Sequence, residues 1–234
     1  MKIELLIRIT LVVVLSAVAS ERFSAVGAQN QRQISTQPRA SSFRLEKLET
    51  SLGHKLYITV NGRERKISNQ VMGAWIIDDG KSVAYSGLDG SGGFENEGES
   101  LRIYDVRTGK ARKVLSEYVA IIALMPVKLS TGQLLLLIRM GDGGLGASYF
   151  AVVDPNRGEI FTRNWAELVE LNGDRIKLAF YNEEDWDRIL GERSGEQENP
   201  NQVIATTKVK PKKFESHDLK RVLKMRVIVN KRDR

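Results

Sequence analysis

Residues 78–115 read DDGKSVAYSGLDGSGGFENEGESLRIYDVRTGKARKVL. Together with the apolar residues 75–77 before it, this stretch contains four short segments of apolar and polar alternation. Asp79-Gly80 joins the first two segments and Thr108-Gly109 joins the last two. Glycine adopts positive φ at little steric cost, so both dipeptides favour tight turns between antiparallel strands. The stretch therefore predicts two β-hairpins that form one small antiparallel sheet.

Weaker copies of this unit follow it along the chain. Residues 119–161 repeat the order of strands and turns, and a poorer third unit begins at Trp165. The turns at Asp79-Gly80, Thr131-Gly132 and Asn172-Gly173 are 52 and 41 residues apart (131−79 and 172−131). That spacing is typical of the four-stranded blade of a β-propeller.

The two ends of the domain predict how the repeat array closes. Residues 54–67 form a hairpin pattern around Asn61-Gly62, a dipeptide that suits a type I′ turn, and they lack the first half of a unit. Residues 223–229 alternate as a strand and would complete a fourth sheet. We therefore predict an all-β fold, a small β-propeller of about four antiparallel blades closed by its N- and C-terminal strands. The alternative is an irregular β-sandwich or an open propeller fragment.

The segments DGKSVAYS and ESLRIYDVRTGKARKVL resemble the repeat of TolB-like β-propellers. The close match covers residues 78–115 and consists of turn and core features, so it implies a fold and transfers no catalytic residue. The resemblance also implies an extracytoplasmic protein that binds other proteins. Some propellers with this repeat are attached to peptidases, but a Gly-x-Ser-x-Gly nucleophile motif is absent from this sequence.

The N-terminal residues predict export. Lys2 and Arg8 flank a short apolar run, and small residues follow, with cleavage expected after Ala19 or Ala28. We expect residues 1–28 to be a signal peptide, with an uncleaved anchor as the alternative, and no stable transmembrane span after cleavage. The mature protein would be periplasmic or extracellular. Residues 29–49 are polar and predict a disordered linker, 50–230 the β-domain, and 231–234 a basic tail.

Acidic residues recur in equivalent loops of the three units. They are Asp89, Glu95 and Glu97 in the first unit, Asp142 in the second and Asp185 in the third. Because equivalent loops of a propeller emerge on one face, these side chains predict a negatively charged interaction face. Calcium prefers such oxygen ligands, but no EF-hand spacing is present, so no cofactor is predicted and calcium is the minor alternative.

A short helix is predicted over residues 182–191, inside the third loop. Asn182 suits its N-cap, and the acidic residues after it suit its first turn. Trp186 is a candidate binding residue on this helix. The competing interpretation is that Trp186 packs the helix against the β-domain.

Positive charge is concentrated at the C-terminal end. Residues 208–234 contain eleven Lys or Arg and three Asp or Glu, a net of +8 in a chain whose net charge is +7. The candidate anion-binding residues are Lys210, Lys212, Lys213, Lys224 and Arg226. Such a strip attracts anionic polymers, although export and the scarcity of interleaved aromatic residues argue against nucleic acid. Lysines that protect an edge strand from aggregation are the alternative.

Catalytic motifs are weak throughout the sequence. Gly141 to Gly146 match G-x-G-x-x-G, but a strand pattern follows where the dinucleotide motif needs a helix. The chain has two histidines and no cysteine. The sequence therefore favours an exported non-catalytic binding module that contacts an envelope or secreted protein through its acidic loops. The alternatives are a carbohydrate-active or other envelope enzyme using loop carboxylates, and anionic-polymer binding through the basic strip; the oligomeric state stays open.

Overall fold

The computed structural model describes residues 37–49, 53–89, 98–116, 120–141, 148–193, 201–205 and 207–224. The chain divides into two compact units, Met1–Gln37 and Pro38–Arg234. Apart from Gln37, the described residues belong to the second unit. The predicted signal peptide therefore lies outside the described residues, and it stays a prediction.

Three antiparallel sheets make up the described part of the second unit. The first sheet has six strands in sequence order: β1 Ala40–Lys47, β2 His54–Val60, β3 Arg63–Ile77, β4 Ser82–Asp89, β5 Gly98–Asp105 and β6 Lys110–Ser116. The second contains β7 Ala120–Lys128, β8 Leu134–Gly141, β9 Ser148–Asp154 and β10 Gly158–Asn164. The third contains β11 Ala166–Asn172, β12 Arg175–Phe180 and β13 Lys213–Asp218.

Among the described residues, two α-helices accompany the sheets: α1 Glu183–Arg193 lies between β12 and β13, and α2 Leu219–Lys224 follows β13. The sheets are up-and-down meanders of the kind that builds propeller blades. The predicted all-β, repeat-built fold is confirmed.

Turn chemistry sets the strand order as the sequence predicts. Asn61 and Gly62 both have positive φ, 52° and 74°, the requirement of a type I′ turn. In the β5–β6 turn, the backbone N–H of Thr108 donates to Asp105 Oδ1 at 2.7 Å, and Gly109 has a φ of 69°. The hairpins predicted around residues 78–115 are therefore confirmed.

The N-terminal hairpin does not belong to a separate fourth sheet. Strand β3 runs through Gln70, whose φ is 54°; it pairs with β2 from Arg63 to Val71 and with β4 from Val71 to Ile77. One long strand thus joins the hairpin to the sheet of residues 78–115. The expectation that the chain's last strand completes this hairpin is wrong for the described residues.

Strand β1 corrects the predicted disordered linker. Ala40 and Leu45 pack in the core cluster of the first sheet, and β1 pairs with β2 in register from Lys47 and His54 onward. Arg44 lies over the ring of Tyr57, 4.3 Å from its centroid. The polar composition concealed a mostly exposed strand that contacts the core through Ala40 and, in part, Leu45.

Helix α2 corrects the predicted C-terminal strand over residues 223–229. Leu219 and Val222 are buried in the core, a spacing of three residues that suits a helix and not a strand. The side chain of Asp218 accepts the N–H of Lys220 at 2.9 Å and caps the helix. Leu223 and Lys224 are therefore helical, and residues 225–229 lie outside the described residues.

The second sheet is buried on both faces. Leu135 and Leu137 of β8 join the core cluster shared with the third sheet and α2. Leu136 and Ile138, the alternate residues of the same strand, join the cluster shared with the first sheet. The second sheet is thus the inner layer of the described fold.

Asp174 ties three elements together at the β11–β12 turn. Its carboxylate accepts the N–H and the hydroxyl of Ser130 at 2.8 and 2.6 Å, and Lys220 Nζ of α2 lies 2.6 Å from Oδ2. The hydrogen bond with Lys220 and those with Ser130 lower the pKa of Asp174 to about 2. The ionised carboxylate therefore stabilises the folded state.

We expect Asp174→Asn to be less stable than the wild type at neutral pH. A lowered pKa adds stability that is complete above the ordinary value near pH 4 and is lost as the pH falls towards about 2. The gap between the two unfolding midpoints in urea should therefore shrink between about pH 4 and pH 2. Asp187→Asn, at an exposed acid of α1, is the control. If the gap between the two midpoints did not change with pH, the ionised carboxylate of Asp174 would not be what stabilises the folded state.

Gly80→Ala and Gly132→Ala form a matched pair, because their φ values are 83° and 84°. A Cβ at Gly80 would lie 2.4 Å from the carbonyl oxygen of Ala40, whereas at Gly132 it would meet nothing within 4 Å. We expect Gly132→Ala to lower the free energy of unfolding by about 1–2 kcal/mol because of backbone conformation alone, and Gly80→Ala to lower it by more. Thermal unfolding measures both, and equal losses would mean that β1 does not pack on this turn.

Candidate functional site

Helix α1 begins as the sequence predicts. The side-chain oxygen of Asn182 accepts the backbone N–H of Asp185 at 2.9 Å, so Asn182 is the N-cap. Glu183, Glu184 and Asp185 occupy the first turn, where the helix dipole favours negative charge. The predicted helix is confirmed, and it ends two residues later than expected.

Trp186 anchors α1 to the third sheet. Its side chain is 1% exposed and packs with Ala179 and Ile189. Its ring lies edge-on to that of Trp165, with centroids 6.1 Å apart, and 5.9 Å from the centroid of Tyr181. Trp186 is therefore a packing residue, and its assignment as a candidate binding residue is wrong.

The segment that leads into β13 lies beside α1. Val209 packs against the cluster around Trp186, and its N–H donates to Thr207 Oγ1 at 3.1 Å. The N–H of Lys212 donates to the carbonyl of Phe180 at 2.8 Å. These contacts hold a run of alternating lysines against the helix.

A cleft of about 590 Å³ separates α1 from this segment. We call it the basic cleft; the described residues that line it are Asp185, Arg188, Lys208, Val209, Lys210 and Lys212. Four cations and one carboxylate give this lining a net charge of +3 (4−1). The sequence placed the acid and the lysines on separate surfaces, and the fold brings them together.

Asp185 is the buried centre of the basic cleft. Its carboxylate is 2% exposed, Lys212 Nζ lies 3.0 Å from Oδ2, and Arg188 pairs with Oδ1. The hydrogen bond from Lys212 is the main cause that holds the pKa of Asp185 below its ordinary value. Asp185 is thus ionised and neutralised by its neighbours, and its place in an acidic interaction face is wrong.

Exposed lysines lie at the rim of the cleft. Lys208 and Lys210 are exposed, and the structure records no ion pair for Lys210 with any described residue. Hydrated ammonium groups at a rim attract anions from solution without a large desolvation cost. The arrangement therefore suits an anionic group that approaches from solvent.

The other predicted cations lie elsewhere. Lys213 pairs with Glu215 at 2.8 Å and lies over the ring of Phe180, 4.7 Å from its centroid. Lys224 is exposed at the end of α2, and Arg226 lies outside the described residues. Of the predicted basic strip, the described structure brings only Lys210 and Lys212 into one cleft. Arg188 and Lys208 were missed, although an Arg three residues after a helix acid is a recognisable signal.

The acidic loops lie mostly outside the described residues. Asp89 ends β4, and Glu95, Glu97 and Asp142 fall in undescribed segments, so their grouping stays a prediction. Within the described ranges, no group of three or more potential ligands for a metal ion occurs. Also within those ranges, no helix is long and apolar enough to cross a membrane.

Comparisons with known proteins concern the fold. No protein-family model matches this chain, and no curated protein matches it. The β-propeller domain of the Trilobed protease from Pyrococcus furiosus is 15% identical, with a TM-score of 0.44 over 63% of this chain and 50% of that chain. Acylaminoacyl peptidase from Pyrococcus horikoshii is 16% identical, with a TM-score of 0.39 over 62% of this chain and 28% of that chain. This chain thus spans half or less of either structure, and the TolB-like resemblance stays a prediction.

We expect Trp186→Ala to destabilise the protein by about 3–5 kcal/mol, because it removes a large buried side chain and leaves a cavity under α1. Trp186→Phe, which keeps an aromatic ring, should cost less. Urea unfolding followed by far-ultraviolet circular dichroism measures both variants. Wild-type stability in Trp186→Ala would show that α1 does not depend on this contact.

Proposed function

We propose that this chain is an exported, non-catalytic binding module whose basic cleft holds anionic groups of its partner. The observation that carries the proposal is the pairing of the buried carboxylate of Asp185 with Lys212 and Arg188. Because this pairing neutralises the acid, it no longer repels an incoming anion. The exposed ammonium group of Lys210 at the rim then supplies the attraction.

The partner class that fits the cleft best is an anionic polymer of the cell envelope. Exposed ammonium groups attract an anion weakly one at a time, since water and salt screen them. A ligand that carries a charge on every repeat unit engages several such groups together and gains from their sum. The export part of the proposal depends on residues 1–28.

Binding of a protein through the acidic loops is a separate proposal from the sequence. It depends on Asp89, Glu95 and Glu97, whose side chains lie outside the described structure. Replacing these three acids together should leave the basic cleft intact. A pull-down from the native envelope with this triple variant and with the wild type therefore distinguishes a protein partner of the loops from a polymer in the cleft.

The cleft is tested by binding to dextran sulfate, with uncharged dextran as the matched polymer. We expect wild-type protein to bind dextran sulfate with an affinity that falls as salt rises, because screening weakens exposed ion pairs. Lys210→Glu should weaken binding by about tenfold, which corresponds to ~1.4 kcal/mol. Biolayer interferometry at two salt concentrations measures both effects.

Lys66→Glu is the matched control, because Lys66 is an exposed lysine of β3 outside the cleft and the charge change is identical. If Lys66→Glu and Lys210→Glu weakened binding equally, the net charge of the protein alone would account for the interaction. That result would contradict specific binding in the basic cleft. Equal binding of dextran and dextran sulfate would also contradict it.

A further inference from the structure

A larger cavity lies between the first and second sheets, at the end where their tight turns lie. Its volume is about 730 Å³, and it is lined from the β3–β4, β5–β6, β7–β8 and β9–β10 turns and the strands that flank them. We call it the turn cavity. Small-molecule sites commonly occupy about 300–1,000 Å³ and are largely preformed. The turn cavity has the size of such a site.

The inner wall of the turn cavity is apolar. Ile77 and Ile103 line it and belong to the core cluster that the first and second sheets share. Leu134, half-buried at the start of β8, also lines the cavity. A ligand in this cavity therefore meets hydrocarbon on one side.

The rim of the turn cavity carries hydrogen-bonding groups of both kinds. Asp105 accepts from the backbone N–H of Thr108 at 2.7 Å, and this contact is the main cause that lowers the pKa of Asp105. The ionised carboxylate still has lone pairs for a ligand, and the hydroxyl of Thr108 and the amides of Gln133 and Asn156 can donate as well as accept.

Charges on the lining balance. Asp78 and Asp105 are matched by Lys110 and Arg112, so the described lining has a net charge of zero (2−2). Arg112 donates to the carbonyl of Pro155 and to Asn156 Oδ1, the latter at 3.2 Å, and so connects the two sheets across the rim. These bonds fix the rim before a ligand arrives, which lowers the entropic cost of binding.

We propose that the turn cavity binds an uncharged saccharide. A sugar ring has a hydrocarbon face and an edge of hydroxyl groups that donate and accept together. The apolar wall of Ile77 and Ile103 fits the hydrocarbon face of the ring, and the carboxylate and amide groups of the rim fit its hydroxyl groups. A polyanion gains no net attraction from a lining whose charge is zero, and a wholly apolar ligand would leave the rim groups unpaired. The site is independent of the basic cleft.

The test uses the full chain and three neutral disaccharides, cellobiose, maltose and lactose, followed by saturation-transfer-difference NMR and calorimetry. Ser82→Phe fills the cavity from the start of β4, because Ser82 is half-buried, lines the cavity and pairs with Asp105, so that its side chain lies on the cavity face of the sheet. We expect at least one disaccharide to bind the wild type, and Ser82→Phe to weaken this binding by about tenfold or more. Met72→Phe, at an exposed residue of β3 that does not line the cavity, should bind as the wild type does.

Three results would overturn the proposal. The first is that none of the disaccharides binds, and the second is that Ser82→Phe and Met72→Phe bind alike. The third is that Lys210→Glu abolishes saccharide binding while Ser82→Phe does not, which places the ligand in the basic cleft. Because dextran sulfate binding is measured on different variants, loss of either proposal leaves the other standing.

Discussion

The structure depends on one strand that is apolar on both faces. Leu135 and Leu137 of β8 face one core cluster, and Leu136 and Ile138 face another. A sheet that is apolar on both faces has to be covered twice, which makes the second sheet an inner layer. The first and third sheets provide the two covers. Their order along the chain is therefore also their order in space.

The need to cover the third sheet explains where the basic cleft lies. This sheet turns one face to the second sheet, and α1 covers residues of its other face through Trp186. The chain then returns from α1 to β13 through a segment whose Val209 packs on the same cluster. Because Val209 lies between Lys208 and Lys210, fixing the valine holds both lysines near the helix. The cleft is thus a consequence of packing the insertion onto the sheet.

Acidic residues in this protein are mostly structural where the structure describes them. Asp154 is buried and accepts the N–H of Asn156 and the amide of Gln133 at 2.8 and 3.0 Å. Glu99 accepts the N–H of Ile121 at 3.1 Å, and burial raises its pKa. Asp174 and Asp185 pair with lysines. An excess of loop acids is therefore a poor guide to a binding face, because turns and strand ends use carboxylates to satisfy backbone N–H groups.

Local chemistry determined what the sequence could predict. Strand alternation, the Asn61-Gly62 turn and the Asn182 cap involve residues that are close together in the sequence. Their patterns can therefore be recognised from the sequence alone, and they predicted the all-β fold and α1. Strand β1 was missed because its stability comes from pairing with β2. Leu223 and Lys224 were mistaken for strand residues because the core contacts of Leu219 and Val222, which fix the helix, are not visible in the sequence. Asp185 and Lys212 are 27 residues apart (212−185), and only the packing of α1 on the third sheet brings them together. The tertiary structure alone decided the two cavities, because a cavity is formed by residues that share no local pattern.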